Sequence, residues 1–250
     1  YACLLFTTMD YIFVVSNIIT LYWLLVIFVF IVCLFFIVAN YEPVCKILAW
    51  GKVSKKISES NILLQYLTMR NSYFSHFYVV ALLVGLFYLC WDTKMRSSDC
   101  SGTILIFCSN SHAFLRLYEC IFLTKFNSFI NIFQYIYGIT YYLALTTSIY
   151  TYVVLKDGTG TTWVWVSSGL IIFIFSSILQ FKCHREFEKC KKNGEYALPN
   201  HFMFKLTCVP HYISEILIIA SYNIISRLKS LNLYLCLIAT IISLSGGAVM

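Results

Sequence analysis

Seven stretches of this chain are apolar at nearly every position: Asn17–Ala39, Tyr73–Trp91, Thr103–Leu123, Phe129–Leu155, Trp163–Phe181, Val209–Ile225 and Leu231–Met250. None shows the strict alternation of a half-buried strand or a membrane barrel strand, and proline occurs only three times in the chain. A bilayer core of about 30 Å is crossed by about 20 helical residues, so runs of this length predict membrane-spanning helices. The pattern contains no internal repeat, no low-complexity tract and no linker separating domains. It predicts an all-α, polytopic transmembrane helical bundle of about seven spans.

Composition agrees with the pattern. Sixty per cent of the 250 residues are hydrophobic and twelve per cent charged, about half the charged share of an ordinary soluble domain. The net charge of +7 does not indicate nucleic acid, because the basic residues fall between the apolar runs as loop charges do. Lys and Arg number twelve in the loops after spans one, three and five and five in the loops after spans two, four and six, with Arg116 inside a span. The positive-inside rule therefore predicts a lumenal or outer amino terminus and a cytosolic end to the last span. The eleven cysteines form no C-x-x-C pair and read as small buried hydrophobes; no metal site is expected. The sequence starts at Tyr1 rather than Met, as a fragment of a longer protein would.

Ionisable side chains inside a span are costly, so each needs a reason. Span three carries His112, Arg116 and Glu119 at spacings of four and three, which puts them on one helical face. They read either as a structural Arg116–Glu119 pair or as the polar wall of a buried site. Span six carries His211 and Glu215, and Glu215 has no basic residue in its own helix, so it must find a partner elsewhere or stay protonated. Span five ends in Gln180, Lys182, His184 and Arg185, with Gln180, His184 and Lys191 at helical spacing if the helix continues into the cytosol. His76, among Tyr73, Phe74 and Tyr78, is either a satisfied bundle histidine or part of a proton relay. Gln134, Tyr137, Tyr141 and Tyr142 suit a polar strip of span four that faces the bundle. Basic residues beside these groups suit an anionic phosphate reaching in from the cytosol, or anionic lipid. No G-x-G-x-x-G turn or P-loop is present.

These residues also occur in a recognisable order. Tyr73-Phe74-Ser75-His76-Phe77-Tyr78, Phe114-Leu115-Arg116-Leu117-Tyr118-Glu119-Cys120, and Gln134-Tyr135 through Gly138 to Tyr141-Tyr142 come first. Gln180-Phe181-Lys182-Cys183-His184, Leu198-Pro199 and Pro210-His211-Tyr212-Ile213-Ser214-Glu215 follow. The series resembles the polyprenol reductase branch of the steroid 5α-reductase family from about Tyr73 to about Ile225. The first 72 residues match only as a span and a basic cytosolic loop, so residues 1–72 and 73–250 are expected to be that leading part and the reductase domain of one bundle.

The resemblance implies a multi-pass enzyme of the endoplasmic reticulum. It would use NADPH to saturate the α-isoprene double bond of a polyisoprenoid lipid on the route to the dolichol needed for N-glycosylation. Hydride adds readily to such a bond only where a conjugated carbonyl takes up the charge, which favours polyprenal over polyprenol. By position, His76 is the expected donor to the aldehyde oxygen, with Tyr73 second. Arg116, Gln180, His184, Arg185, Lys191, His211 and Glu215 are the expected cofactor residues, and Lys125 is a further phosphate candidate. His211 stands where the family usually has Asn, and residues 200–207 lack the family's glycine and acidic residues. The family also continues past its last span with a basic, aromatic tail near the cofactor, whereas this sequence ends Ser245-Gly246-Gly247-Ala248-Val249-Met250. That contrast carries the expectation of weak or no NADPH binding without such a tail, with about tenfold in affinity depending on it. A 3-oxo-Δ4-steroid reductase is the nearest rival reading, and a non-catalytic bundle is the rival of another class. Oligomeric state is not legible.

Overall fold

The computed structural model describes residues 2–41, 44–45, 67–91, 100–124, 126, 129–155, 162–190, 199, 202–207 and 209–249. The helices are α1 (Ala2–Val38), α2 (Ser75–Trp91), α3 (Cys100–Tyr118), α4 (Ile132–Leu155), α5 (Trp163–Cys190), the short α6 (Phe202–Leu206), α7 (Pro210–Ile225) and α8 (Leu231–Val249). Each expected span coincides with one of these helices, and the all-α bundle is as the hydrophobic pattern indicates. By length and composition, three are long and apolar enough to cross a membrane: Met9–Val38, Asn71–Cys90 and Trp163–Cys190.

Some boundaries differ from the pattern, for physical reasons. Helix α5 runs nine residues past Phe181 to Cys190, because the polar sequence after Phe181 holds no Gly or Pro to stop it. The start expected at Phe129 is instead a strand: β2 (Phe129–Asn131) pairs antiparallel with β1 (Thr68–Arg70), Met69 opposite Ile130. Helix α4 begins just after it with a reciprocal cap. Asn131 Oδ1 accepts the Phe133 N–H at 2.8 Å, and Gln134 Oε1 accepts the Asn131 N–H at 3.0 Å, the arrangement of a capping box. Gln134 thus serves the helix start as well as being buried within the bundle, as expected of the polar strip. Tyr141 and Tyr142 do face the core.

Helix α7 packs along α5, α1 along α8, and α2 between α3 and α4. Lipid supplies no hydrophobic drive between helices, so close approach and polar contacts hold them together. Gly169 of α5 lies so close to α7 that a Cβ there would meet Ile225 Cγ1 at 2.5 Å and the Ser221 carbonyl oxygen at 3.1 Å. Elsewhere the Trp23 indole N–H donates to Ser148 Oγ at 3.1 Å, Tyr22 OH to Thr140 Oγ1 at 3.0 Å, and Thr20 Oγ1 to Asn232 Oδ1 at 2.7 Å. These bonds tie α1 to α4 and α8 and leave the inner faces of α3, α5 and α7 to meet one another.

Candidate functional site

The polar side chains of α3, α5 and α7 converge. On α5, Gln180 and His184 are four residues apart, and both turn toward a face shared with α3 and α7. On α3, Arg116 donates to Glu119 Oε2, and His184 Nδ1 lies within hydrogen-bond distance both of that oxygen, at 2.9 Å, and of Arg116 Nη1. On α7, Glu215 accepts a hydrogen bond from Gln180 Nε2 at Oε2, while its Oε1 lies 3.5 Å from His112 Nε2 on α3. Each carboxylate is therefore met by groups from another helix. Glu119 of α3 is reached from α5, and Glu215 of α7 is reached from α3 and α5.

Tyr78 of α2 closes one side of this junction. Arg116 Nε donates to its hydroxyl at 3.3 Å, and the guanidinium carbon lies 5.4 Å from its ring centroid, within cation–π range. His211 of α7 lies with its ring 5.6 Å from that of His184 and 5.1 Å from that of Phe187. Five buried polar atoms here have no hydrogen-bond partner among the described residues: Glu119 Oε1, Gln180 Oε1, both ring nitrogens of His112 and His211 Nδ1. Buried polar groups are paired in the great majority of cases, so five such atoms at one junction mark a place where a polar ligand would be accepted.

Not every expected site residue joins the junction. His76 and Tyr73 sit at the cytosol-facing end expected for α2, on and just after the turn that follows β1. His76 Nδ1 bonds Tyr135 OH at 2.9 Å, and its ring centroid lies 5.1 Å from that of Tyr73. Tyr78, two residues on, is the α2 side chain that reaches Arg116. The Arg185 guanidinium carbon lies 5.8 Å from the Phe181 ring centroid, and the Arg185 side chain is exposed. One residue of offset on a helix is about 100° of rotation, which separates it from the His184 face. Lys191 and Lys125 lie outside the described residues.

Three members of the junction were not among the expected site residues: Glu119, His112 and Tyr78. The signal for the first two was present, since both share the Arg116 face of α3. What spacing could not show was which other helix would meet that face. The pairing of Arg116 with Glu119, one of the two readings left open above, is present, but it extends to His184 and is not a closed local pair. Among the described residues no three His, Cys, Asp or Glu side chains are grouped as a metal ion would need.

A second feature lies between α2 and α3. A cavity of about 690 Å³ is lined by Leu82, Leu86, Phe107, Asn110, Phe114 and Leu115, among others, a size within the range of ligand pockets. Its α2 wall continues by one turn from Leu82 to Tyr78, the residue that contacts Arg116.

Comparison with known proteins identifies the family. The sequence profile of the 3-oxo-5-alpha-steroid 4-dehydrogenase family matches residues 128–249. The polyprenal reductase of Saccharomyces cerevisiae is 30% identical over 198 residues, 75% of this chain and 70% of that protein. That of Xenopus tropicalis is 29% identical over 130 residues, 46% of this chain and 42% of that protein. The human polyprenal reductase is 27% identical over 143 residues, 50% of this chain and 44% of that protein. In the last two comparisons the matched stretch is less than half of the relative. The match to the yeast protein extends over most of both chains and the family profile covers α4 to α8, so this chain belongs to the steroid 5α-reductase family, in its polyprenol reductase branch.

Proposed function

We propose that the protein is an NADPH-dependent reductase of the endoplasmic reticulum membrane that saturates the α-isoprene double bond of polyprenal, giving dolichal on the route to dolichol for N-glycosylation. The observation that carries this reading is the buried junction of α3, α5 and α7, where two carboxylates, an arginine, three histidines and a glutamine meet inside an apolar bundle. Such a concentration of polar groups within a membrane bundle is a functional arrangement by default.

The residues fit a nicotinamide cofactor. Gln180, His184, His211 and Glu215 carry both donors and acceptors, as a carboxamide and ribose hydroxyls require, and the five atoms lacking partners are the places to receive them. Arg116 supplies fixed positive charge at the junction, and Arg185 and Lys191 would meet the phosphates from the cytosolic end. When bound, NADPH supplies the hydride. His76 would hold the aldehyde oxygen of the substrate. In the tautomer where the Tyr135 hydroxyl donates to Nδ1, the ring proton would lie on Nε2 and supply the donor that oxygen needs. Tyr73, against the His76 ring, is the second donor at that end. The apolar recess between α2 and α3 would take part of the prenyl chain, with no charge to exclude it.

The test is turnover by microsomes carrying the full-length protein, with NADPH and polyprenal supplied and dolichal measured by mass spectrometry. Dolichal that forms only when both are present is the expected result. No NADPH-dependent product, or a 3-oxo-Δ4 steroid reduced as well as polyprenal, sinks the reading. Orientation is tested separately. Across the seven-span bundle, with residues 1–72 leading into the reductase domain 73–250, the amino terminus is lumenal and the end of the last span cytosolic. A glycosylation reporter inserted near Ser98 should be modified and one near Lys191 should not; modification of both or of neither rules out this orientation.

A further inference from the structure

Glu119 is the most enclosed ionisable side chain of the junction, with 1% of its side chain exposed. Its Oε2 accepts from Arg116, three residues earlier on α3, and lies 2.9 Å from His184 Nδ1 on α5, while its Oε1 has no hydrogen-bond partner among the described residues. Glu119 also opens a π-helical turn, Glu119–Leu123, closed by the Thr124 N–H donating to the Glu119 carbonyl at 2.8 Å. Widened turns of this kind are uncommon within helices and are frequent at functional sites. A contact whose sole task was to join α3 to α5 would be served as well by apolar packing, since replacing a buried ion pair with apolar groups is often neutral or stabilising. One carboxylate oxygen in contact with groups from two helices does something apolar packing cannot. It holds the Arg116 guanidinium and the His184 ring against each other, with Arg116 also within hydrogen-bond distance of His184 Nδ1, so that both side chains have a defined orientation.

The geometry points to Glu119 as a positioning residue for cofactor binding, acting through His184 and Arg116. This rests on the NADPH-reductase reading above. Glu119→Gln keeps the size but removes the charge that holds the Arg116 guanidinium beside the His184 ring.

NADPH affinity of the full-length protein in detergent, read by quenching of tryptophan fluorescence, tests this in a double-mutant cycle with His184→Gln. Each single variant is expected to weaken binding about tenfold, and the double variant clearly less than the hundredfold of two independent losses, because residues that act as one unit are not additive. Melting temperature is recorded for all four proteins. A hundredfold, additive loss in the double variant overturns the proposal, and so does unchanged affinity in Glu119→Gln with a lowered melting temperature. Should Glu119→Gln fail to fold, Glu119→Asp carries the test: the shorter carboxylate must weaken NADPH binding, and unchanged affinity overturns the proposal. Wild-type protein that does not bind NADPH removes the cofactor reading and this one with it. Wild-type protein that binds leaves the cofactor reading standing whatever Glu119 does.

Discussion

Replacing Arg116 by methionine is expected to destabilise the bundle by about 3–5 kcal/mol, because it strands the carboxylate of Glu119 without its cation inside the protein. The loss comes from the group left behind more than from the contact removed. The Glu119 side chain has no exposed surface from which water could replace the guanidinium, and one of its oxygens already lacks a partner. The double variant Arg116→Met, Glu119→Leu should therefore recover most of the loss, since both charged groups go together. Melting in detergent, followed by loss of the monodisperse peak in size-exclusion chromatography, reads both variants. A double variant less stable than Arg116→Met would mean that the pair contributes net stability and that the cost is not one of stranded charge.

The second large effect is kinetic. His76→Ala is expected to lower the rate of polyprenal reduction by about 10²–10³-fold, the usual cost of removing one donor to an oxygen that gains negative charge in the transition state. NADPH affinity should stay nearly unchanged, because Tyr78, two residues later, is the α2 side chain that contacts the junction. Separate measurement of NADPH binding and of turnover at saturating NADPH distinguishes the two effects. Near-normal turnover would make His76 a packing histidine held by Tyr135. A parallel fall in NADPH affinity would move His76 into the cofactor site.

The junction was legible in part before any coordinates. Spacing alone placed His112, Arg116 and Glu119 on one face of α3, Gln180 and His184 on one face of α5, and His211 and Glu215 on one face of α7, because helical periodicity is a local property of the chain. The absence of a basic residue near Glu215 in its own helix left two readings, a partner from elsewhere or a protonated carboxyl, and the structure supplies neighbours from α3 and α5. Helix ends were less legible. The extension of α5 to Cys190 depends on local helix preference in a polar stretch where the apolar signal has already ended. The displacement of the α4 start from Phe129 to Ile132 depends on β1, about sixty residues earlier, which pairs with Phe129–Asn131.

Hydrophobic patterning by itself indicated a helical bundle, and among the described residues each of the seven apolar stretches holds a helix, three of them long and apolar enough to cross a membrane. Transfer of about 20 apolar residues into lipid is favourable for each segment independently, with every backbone group satisfied inside its own helix. Nothing in that driving force specifies which helices become neighbours, since lipid-facing and helix-facing apolar surfaces have similar energies. That choice was left to a few close approaches and polar contacts, such as Gly169 against Ile225 and Trp23 with Ser148. Only once α3, α5 and α7 were packed together did Glu119 acquire His184, and Glu215 acquire Gln180 and His112 nearby. Tertiary packing therefore turned three separate polar faces into one site, and it left Arg185, one residue along the same helix, outside it.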